Sequence, residues 1–354
     1  MVELRNDVPR QHALSSNVKL LMKPSRRIVL AAVALTAALG AVAFVPQLLG
    51  PEVHRALDGL AGARPMWLWA AAGFFVLSLA GAAGAYRSAF GLVGARIAPL
   101  DAAARYGVGS LVNTFVPARL GDAVRLALFA RAIDSEERLW RTGGVFAAIG
   151  VARAAVLALL VVAGSLAGAL PLWPVLVCLG LVAAAAAVAV ATRNRTPSSH
   201  VAHLLDAFRA LGREPGRGAR ITGWIFLATL ARLGAAASIA AALHVHGPLA
   251  AAVMIVPALD LAGTMPLTPG NVGITSGAVA MALSAHGVPM TVALTTGIAF
   301  HAVETCAGLT AGLASGLFLI ELQPRRRWTV AAAGAAMALA IAAGFSATVL
   351  VDVL

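Results

Sequence analysis

NTFVPARLGDAVR, residues 113–125, and GTMPLTPGNVGITSG, residues 263–277, are the two stretches on which the fold turns. Both lie in strongly apolar sequence, and both are broken by proline and glycine at one spacing. Pro117 and Gly121 stand four apart, as do Pro266 and Gly270. Proline removes a backbone donor and glycine loosens the helix. Lipid tails cannot satisfy the freed groups, so broken helix at membrane depth is tolerated only where protein or a wet cavity surrounds it. Such a pair of breaks, one in each half of a membrane chain, points to a transport site.

The surrounding sequence is that of a polytopic membrane protein. Of 354 residues, 60% are hydrophobic and 12% charged, and the mean hydropathy is +0.86. A soluble domain carries about 25% charge. Apolar runs at 28–49, 67–86, 143–168, 173–192, 221–243, 290–320 and 328–351 reach or approach the roughly 20 residues that a bilayer needs. The first run follows a basic arm and contains Ala41-Val42-Ala43, as a signal peptide would. It exceeds the roughly 7–15 residues of a signal core and is expected to stay as an uncleaved span.

Arginines set the orientation. Between the spans, 21 basic residues fall on one side and 2, Arg55 and Arg64, on the other. The rich side is cytoplasmic by the positive-inside rule, so the N-terminus is expected there. The net charge of +12 is thereby accounted for without nucleic acid. Residues 87–105 and 131–141 both fall on the inner side, so the segment between them must enter and leave from inside. The turns near His244 and His286 both fall outside, so 249–286 must dip from the outer face. The expected fold is all-α: about seven transmembrane helices plus two opposed re-entrant hairpins, related as an inverted-topology repeat.

The divisions follow. Residues 1–27 form a basic cytoplasmic arm, and 28–66 the first span and an external loop. Residues 67–192 make the first half, with its hairpin at about 106–130. A basic cytoplasmic linker, 193–220, contains an amphipathic stretch at 200–211 suited to the inner surface. Residues 221–322 make the second half, with its hairpin at about 249–286, and 323–354 a peripheral last span.

Charges remaining in apolar sequence are the candidate site, because each costs about 2.5–3.5 kcal/mol at a helix centre and marks a pathway by default. They are Arg119, Asp122, Arg125, Arg153, Arg232, Asp260, His301 and Glu304. Arg119 lies within the first break, where free N–H groups and a guanidinium suit a phosphate. Asp122 and Arg125 either join that site or only cap and balance the new helix. Glu304 is a partner for Arg153 or Arg232, as a fixed ion pair or as one that changes during transport. His301 either titrates or simply hydrogen-bonds Glu304. In the second break, Pro266, Thr268, Pro269, Gly270, Asn271, Gly273 and Ser276 could meet a head group or repair the freed backbone. Cys178 and Cys306 stand alone in apolar segments and read as free thiols. No P-loop, HExxH or GxSxG is present, so no catalytic residue, metal or cofactor is expected. Gly308, Gly312 and Gly316 form a GxxxG stripe for close helix contact, within one chain or in a homo-oligomer.

At the two breaks the chain resembles the flippase-type membrane domain of lysylphosphatidylglycerol synthases, which also occurs as a stand-alone family. The first signature of that family, Pro-x-Arg-x-Gly-Asp followed by Arg, is met by Pro117, Arg119, Gly121, Asp122 and Arg125. The second, Pro-x-x-Pro-Gly-Gly-x-Gly followed by Glu, is met by Pro266, Pro269, Gly270 and Gly273. Asn271 replaces a glycine there, and Ser276 stands where the Glu is expected. His301 and Glu304 occupy a span that often carries a basic residue in the family. The resemblance covers roughly residues 25–322. It implies movement of a lipid across the bacterial plasma membrane, or a membrane part of a lipid-modifying synthase. The cargo it implies bears a phosphate, whether an aminoacyl-phospholipid, another anionic phospholipid or a polyprenyl-phosphate-linked sugar. A soluble aminoacyl-transfer domain is not expected within these residues. Two other readings stay open: a membrane partner of a separately encoded synthase or transferase, and a lipid-linked sugar or phospholipid transferase using Asp122 or Asp260 as acid or base.

Overall fold

A computed structural model describes residues 59–60, 62–115, 120–168, 170, 172–192, 199–262 and 272–319, all within one compact unit. The basic arm, the spans 28–49 and 328–351, and the tips of both breaks lie outside them. So do Pro117, Arg119, Pro266, Thr268, Pro269, Gly270 and Asn271.

The described residues are helical, with no strand among them. In chain order the helices are α1 (Pro65–Phe90), α2 (Pro99–Phe115), α3 (Leu120–Ala130), α4 (Arg138–Leu166), α5 (Trp173–Thr192), α6 (Ser199–Arg213), α7 (Pro215–Ala242), α8 (Pro248–Ala262), α9 (Val272–Ser284) and α10 (Met290–Leu319). Among the described residues, four stretches are long and apolar enough to cross a membrane: Pro65–Val93, Arg138–Leu166, Pro215–Ala242 and Met290–Leu319. At 1.5 Å per residue each exceeds the roughly 30 Å of a hydrocarbon core. Shorter apolar helices cover Pro174–Ala184, Pro248–Asp260 and Thr275–Ser284.

Both sequence breaks separate helices. α2 stops at Phe115 and α3 resumes at Leu120; α8 stops at Ala262 and α9 resumes at Val272, with Gly273 in its first turn. α2 starts at Pro99, seven residues ahead of the hairpin bound drawn from charge at 106. The reason is Arg105, which reads as a loop residue by charge. Its Nη1 donates to the Leu128 carbonyl near the end of α3 at 2.9 Å, so a helical arginine is kept by an unsatisfied helix-end acceptor.

The pattern of helix contacts is unchanged when α1–α4 are exchanged with α7–α10. α1 packs on α7, and α2 on α10 as α8 on α4. α3 packs on α4 as α9 on α10, and α1 on α10 as α7 on α4. The α1–α7 crossing is close because its residues are small. A Cβ on Gly81 would lie 3.0 Å from the Ala228 nitrogen, and one on Gly84 2.6 Å from the Trp224 ring. Without a hydrophobic driving force between helices in lipid, such small-residue contact is what brings backbones together. Ser78 Oγ, donating to the Ala228 carbonyl at 3.0 Å, adds an interhelical bond.

Two apolar clusters result. One joins Phe75, Ile239, Ile255, Leu283 and Phe300 from α1 and α7–α10. The other joins Phe90, Phe129, Val145, Ile149 and Ile225 with Ala207 of α6, the amphipathic linker helix. Leu176, Val177, Leu179, Leu181 and Val182 of α5 and Val151 and Leu159 of α4 are exposed, an apolar surface suited to lipid rather than water.

Candidate functional site

Between the two clusters lies a cavity of about 820 Å³. All eight helices of the two exchangeable sets contribute to its wall, including the α2–α3 and α8–α9 pairs. Asp122, Arg125, Arg153, Arg232, Asp260, His301 and Glu304 line it, seven of the eight charged or titratable candidates; the eighth, Arg119, is outside the described residues.

The first cluster is built where α2 crosses α3. A Cβ on Gly109 would stand 2.9 Å from the Gly121 carbonyl oxygen, and one on Gly121 would overlap the Gly109 carbonyl and the Asn113 side chain. Only glycine at both places lets the two backbones touch. That contact sets Asn113 and Asp122 side by side, with Asn113 Nδ2 donating to Asp122 Oδ1 at 3.1 Å. Arg125 Nη1 donates to the same oxygen at 3.0 Å, one helical turn on. Arg125 Nη2 donates to Ser110 Oγ at 3.1 Å. The Arg125 guanidinium lies 4.0 Å from the centroid of the Tyr106 ring and 6.0 Å from that of Tyr86, within cation–π range. It is 8% exposed. Below it Tyr86 packs edge-on to Phe146 and beside Phe129, which stacks on Phe90.

The second cluster crosses four helices. Arg153 Nη2 of α4 donates to Asp260 Oδ1 of α8 at 2.8 Å. Arg232 Nη1 of α7 donates to the same oxygen at 2.6 Å, and its Nη2 to Glu304 Oε1 of α10 at 3.2 Å. Glu304 therefore partners Arg232, and Arg153 takes Asp260. His301 is beside this chain without joining it: its Nε2 lies 3.3 Å from Thr305 Oγ1. Pro257 stands inside α8, three residues before Asp260, and withholds a donor from the preceding turn.

Ser276 is buried, and its backbone packs on Gly297 of α10, where a Cβ would lie 2.6 Å from the Ser276 carbonyl oxygen. Its neighbour Thr275 lines the cavity instead. Of the glycine stripe, Gly312 faces Leu111 and Gly107 of α2, so this close contact is made within the chain; nothing lies within 4 Å of a Cβ on Gly316. Sequence reading passed over Tyr86, Tyr106, Ser110 and Asn113. The two tyrosines are the only ones in the chain, each beside an arginine, Arg87 and Arg105, and that rarity was the available signal.

The cavity offers fixed guanidinium and carboxylate groups, a size within the roughly 300–1,000 Å³ of small-molecule sites, and a surround of membrane-length helices. No curated protein matches the chain. Residues 29–312 match the model described as the lysylphosphatidylglycerol synthase TM region, and the chain belongs to this family of membrane domains, which associates it with membrane lipids.

Proposed function

We propose that the chain is a lipid translocase that carries a phosphate-bearing head group through this cavity while the acyl chains stay in the bilayer. The observation that carries the reading is one polar, charged cavity assembled by hairpin and spanning helices from both halves. Charged groups at membrane depth are costly and belong to pathways. A head group moving along them exchanges water for fixed polar partners and never meets hydrocarbon.

The finer architecture belongs to the same proposal. The charge bias supports seven spans and a cytoplasmic N-terminus in a bacterial plasma membrane, with α2–α3 dipping from inside and α8–α9 from outside. The exchange symmetry of the helix contacts supports an inverted repeat, the common basis of alternating access around a midplane site. Arg119 and the free N–H groups opening α3 would receive the phosphate, and Thr268 and Asn271 are further candidates to bind the head group.

The test is flipping of fluorescent phosphatidylglycerol in proteoliposomes, wild type beside Arg119→Ala. Wild type should move the lipid, and Arg119→Ala should abolish movement while eluting as folded protein. Movement preserved in the variant would remove Arg119 from the site. An inactive wild type that gains activity only with an added synthase would favour the membrane-partner reading.

A further inference from the structure

Resting on the translocase reading, we propose that Arg153 is a second receiver of the head-group phosphate, within the cavity and in addition to Arg119, and that Asp260 holds it until the phosphate takes its place.

Three arginines line the described cavity, and two are committed. Arg125 is 8% exposed, engages Asp122 and Ser110 through separate nitrogens, and stacks against Tyr106. Arg232 has a side chain only 17% exposed and bridges Asp260 and Glu304. Drawing it away would strand Glu304 and leave Asp260 with Arg153 alone. Arg153 differs on each count. Its side chain is 54% exposed, and among the described residues it has one polar partner, a single oxygen of Asp260. That oxygen already accepts from Arg232 at the shorter distance of 2.6 Å. When Arg153 leaves, Asp260 therefore stays paired.

The chemistry favours the exchange. Arg153 gives Asp260 one nitrogen, Nη2, whereas a phosphate can accept two parallel bonds from a guanidinium. Arg153 also sits at the right depth. It is the sixteenth residue of α4, Arg138–Leu166, some 22 Å along the helix at 1.5 Å per residue, near the middle of a span. A cation released there can follow the phosphate, while the Arg232–Asp260–Glu304 group keeps α7, α8 and α10 together.

The test uses the full chain purified in detergent. Dihexanoylphosphatidylglycerol and, separately, inorganic phosphate are titrated by calorimetry, and flipping is measured in parallel. Arg153→Gln should weaken binding of the short-chain lipid by roughly tenfold or more, the loss of one charge-assisted bidentate contact. Arg153→Lys should fall between, keeping charge without the fork. Asp260→Asn should bind severalfold tighter than wild type, because the competitor is removed. The double variant Arg153→Gln/Asp260→Asn should fall back to the level of Arg153→Gln. Binding of inorganic phosphate with the same pattern would place recognition in the phosphate itself, and binding of the lipid alone would add the glycerol and acyl parts to it.

Weaker binding in Asp260→Asn, or tight binding kept in the double variant, would overturn the assignment and pass the role to another cation. A wild type that binds and flips lipid beside an Arg153→Gln that does both equally well would overturn only this inference. A wild type that binds neither probe and moves no lipid would overturn the translocase reading with it.

Discussion

Arg153 and Arg232 donate to one carboxylate oxygen, yet they should differ sharply in what their loss costs. Replacing one partner of a buried ion pair costs about 3–5 kcal/mol because a charge is left uncompensated. Arg232→Gln leaves Glu304 without its described partner and should fall near the lower end, about 3 kcal/mol, since Glu304 is itself 37% exposed. Arg153→Gln leaves Asp260 with Arg232, and the half-exposed pair it breaks should cost no more than about 1 kcal/mol. Thermal unfolding of both variants in detergent checks the ranking, and equal losses would contradict it. These charges were visible in the sequence because each interrupts an apolar run. Their partners were legible only in part: Glu304 was expected on Arg153 or Arg232 without a choice between them, and Asp260 on neither. Arg153 meets Asp260 across 107 positions and Arg232 meets Glu304 across 72, and no spacing rule for one helix reaches so far. Asp122 and Arg125 were legible as a pair because they sit three apart on one helix.

At the scale of the elements, helix crossings rest on glycines that have no substitute. Gly312 lies on α10 against α2, where a Cβ would come 2.5 Å from Leu111 Cβ and 3.1 Å from the Gly107 carbonyl oxygen. Gly312→Leu should therefore part the two helices, at about 1–3 kcal/mol or more for overpacking. Gly316→Leu, four residues on in open space, should be tolerated. Size-exclusion profiles of the two variants separate these outcomes, and matching profiles would remove the crossing argument. Proline and glycine spacing revealed both interruptions, because a missing donor acts locally. The start of α2 at Pro99 was not legible, because Arg105 is held in helix by a carbonyl of α3. The amphipathic stretch at 200–211 became α6, Ser199–Arg213. Its partner, the cluster containing Phe90, Ile149 and Ile225, was beyond any periodicity.

For the whole molecule, the proposed orientation has direct consequences for access. With Cys178 and Cys306 replaced by Ala, a cysteine at exposed Glu137 or Glu214 should react with an impermeant thiol reagent only from the cytoplasmic side. One at exposed His246 or His286 should react only from outside. Labelling of Glu137→Cys and His286→Cys from the same side would contradict the opposed hairpins. A helical membrane chain, its helix breaks and the charges within its apolar segments are all legible along the sequence. Those properties are local: backbone hydrogen bonding and side-chain transfer into lipid act on each residue in its own neighbourhood. That α2–α3 and α8–α9 line one cavity, that Arg153 and Arg232 share Asp260, and that the two tyrosines flank Arg125 emerges only in three dimensions. Those depend on which helices touch. Contact is set by close approach at Gly81, Gly84, Gly109, Gly121 and Gly312, whose partners lie elsewhere in the chain.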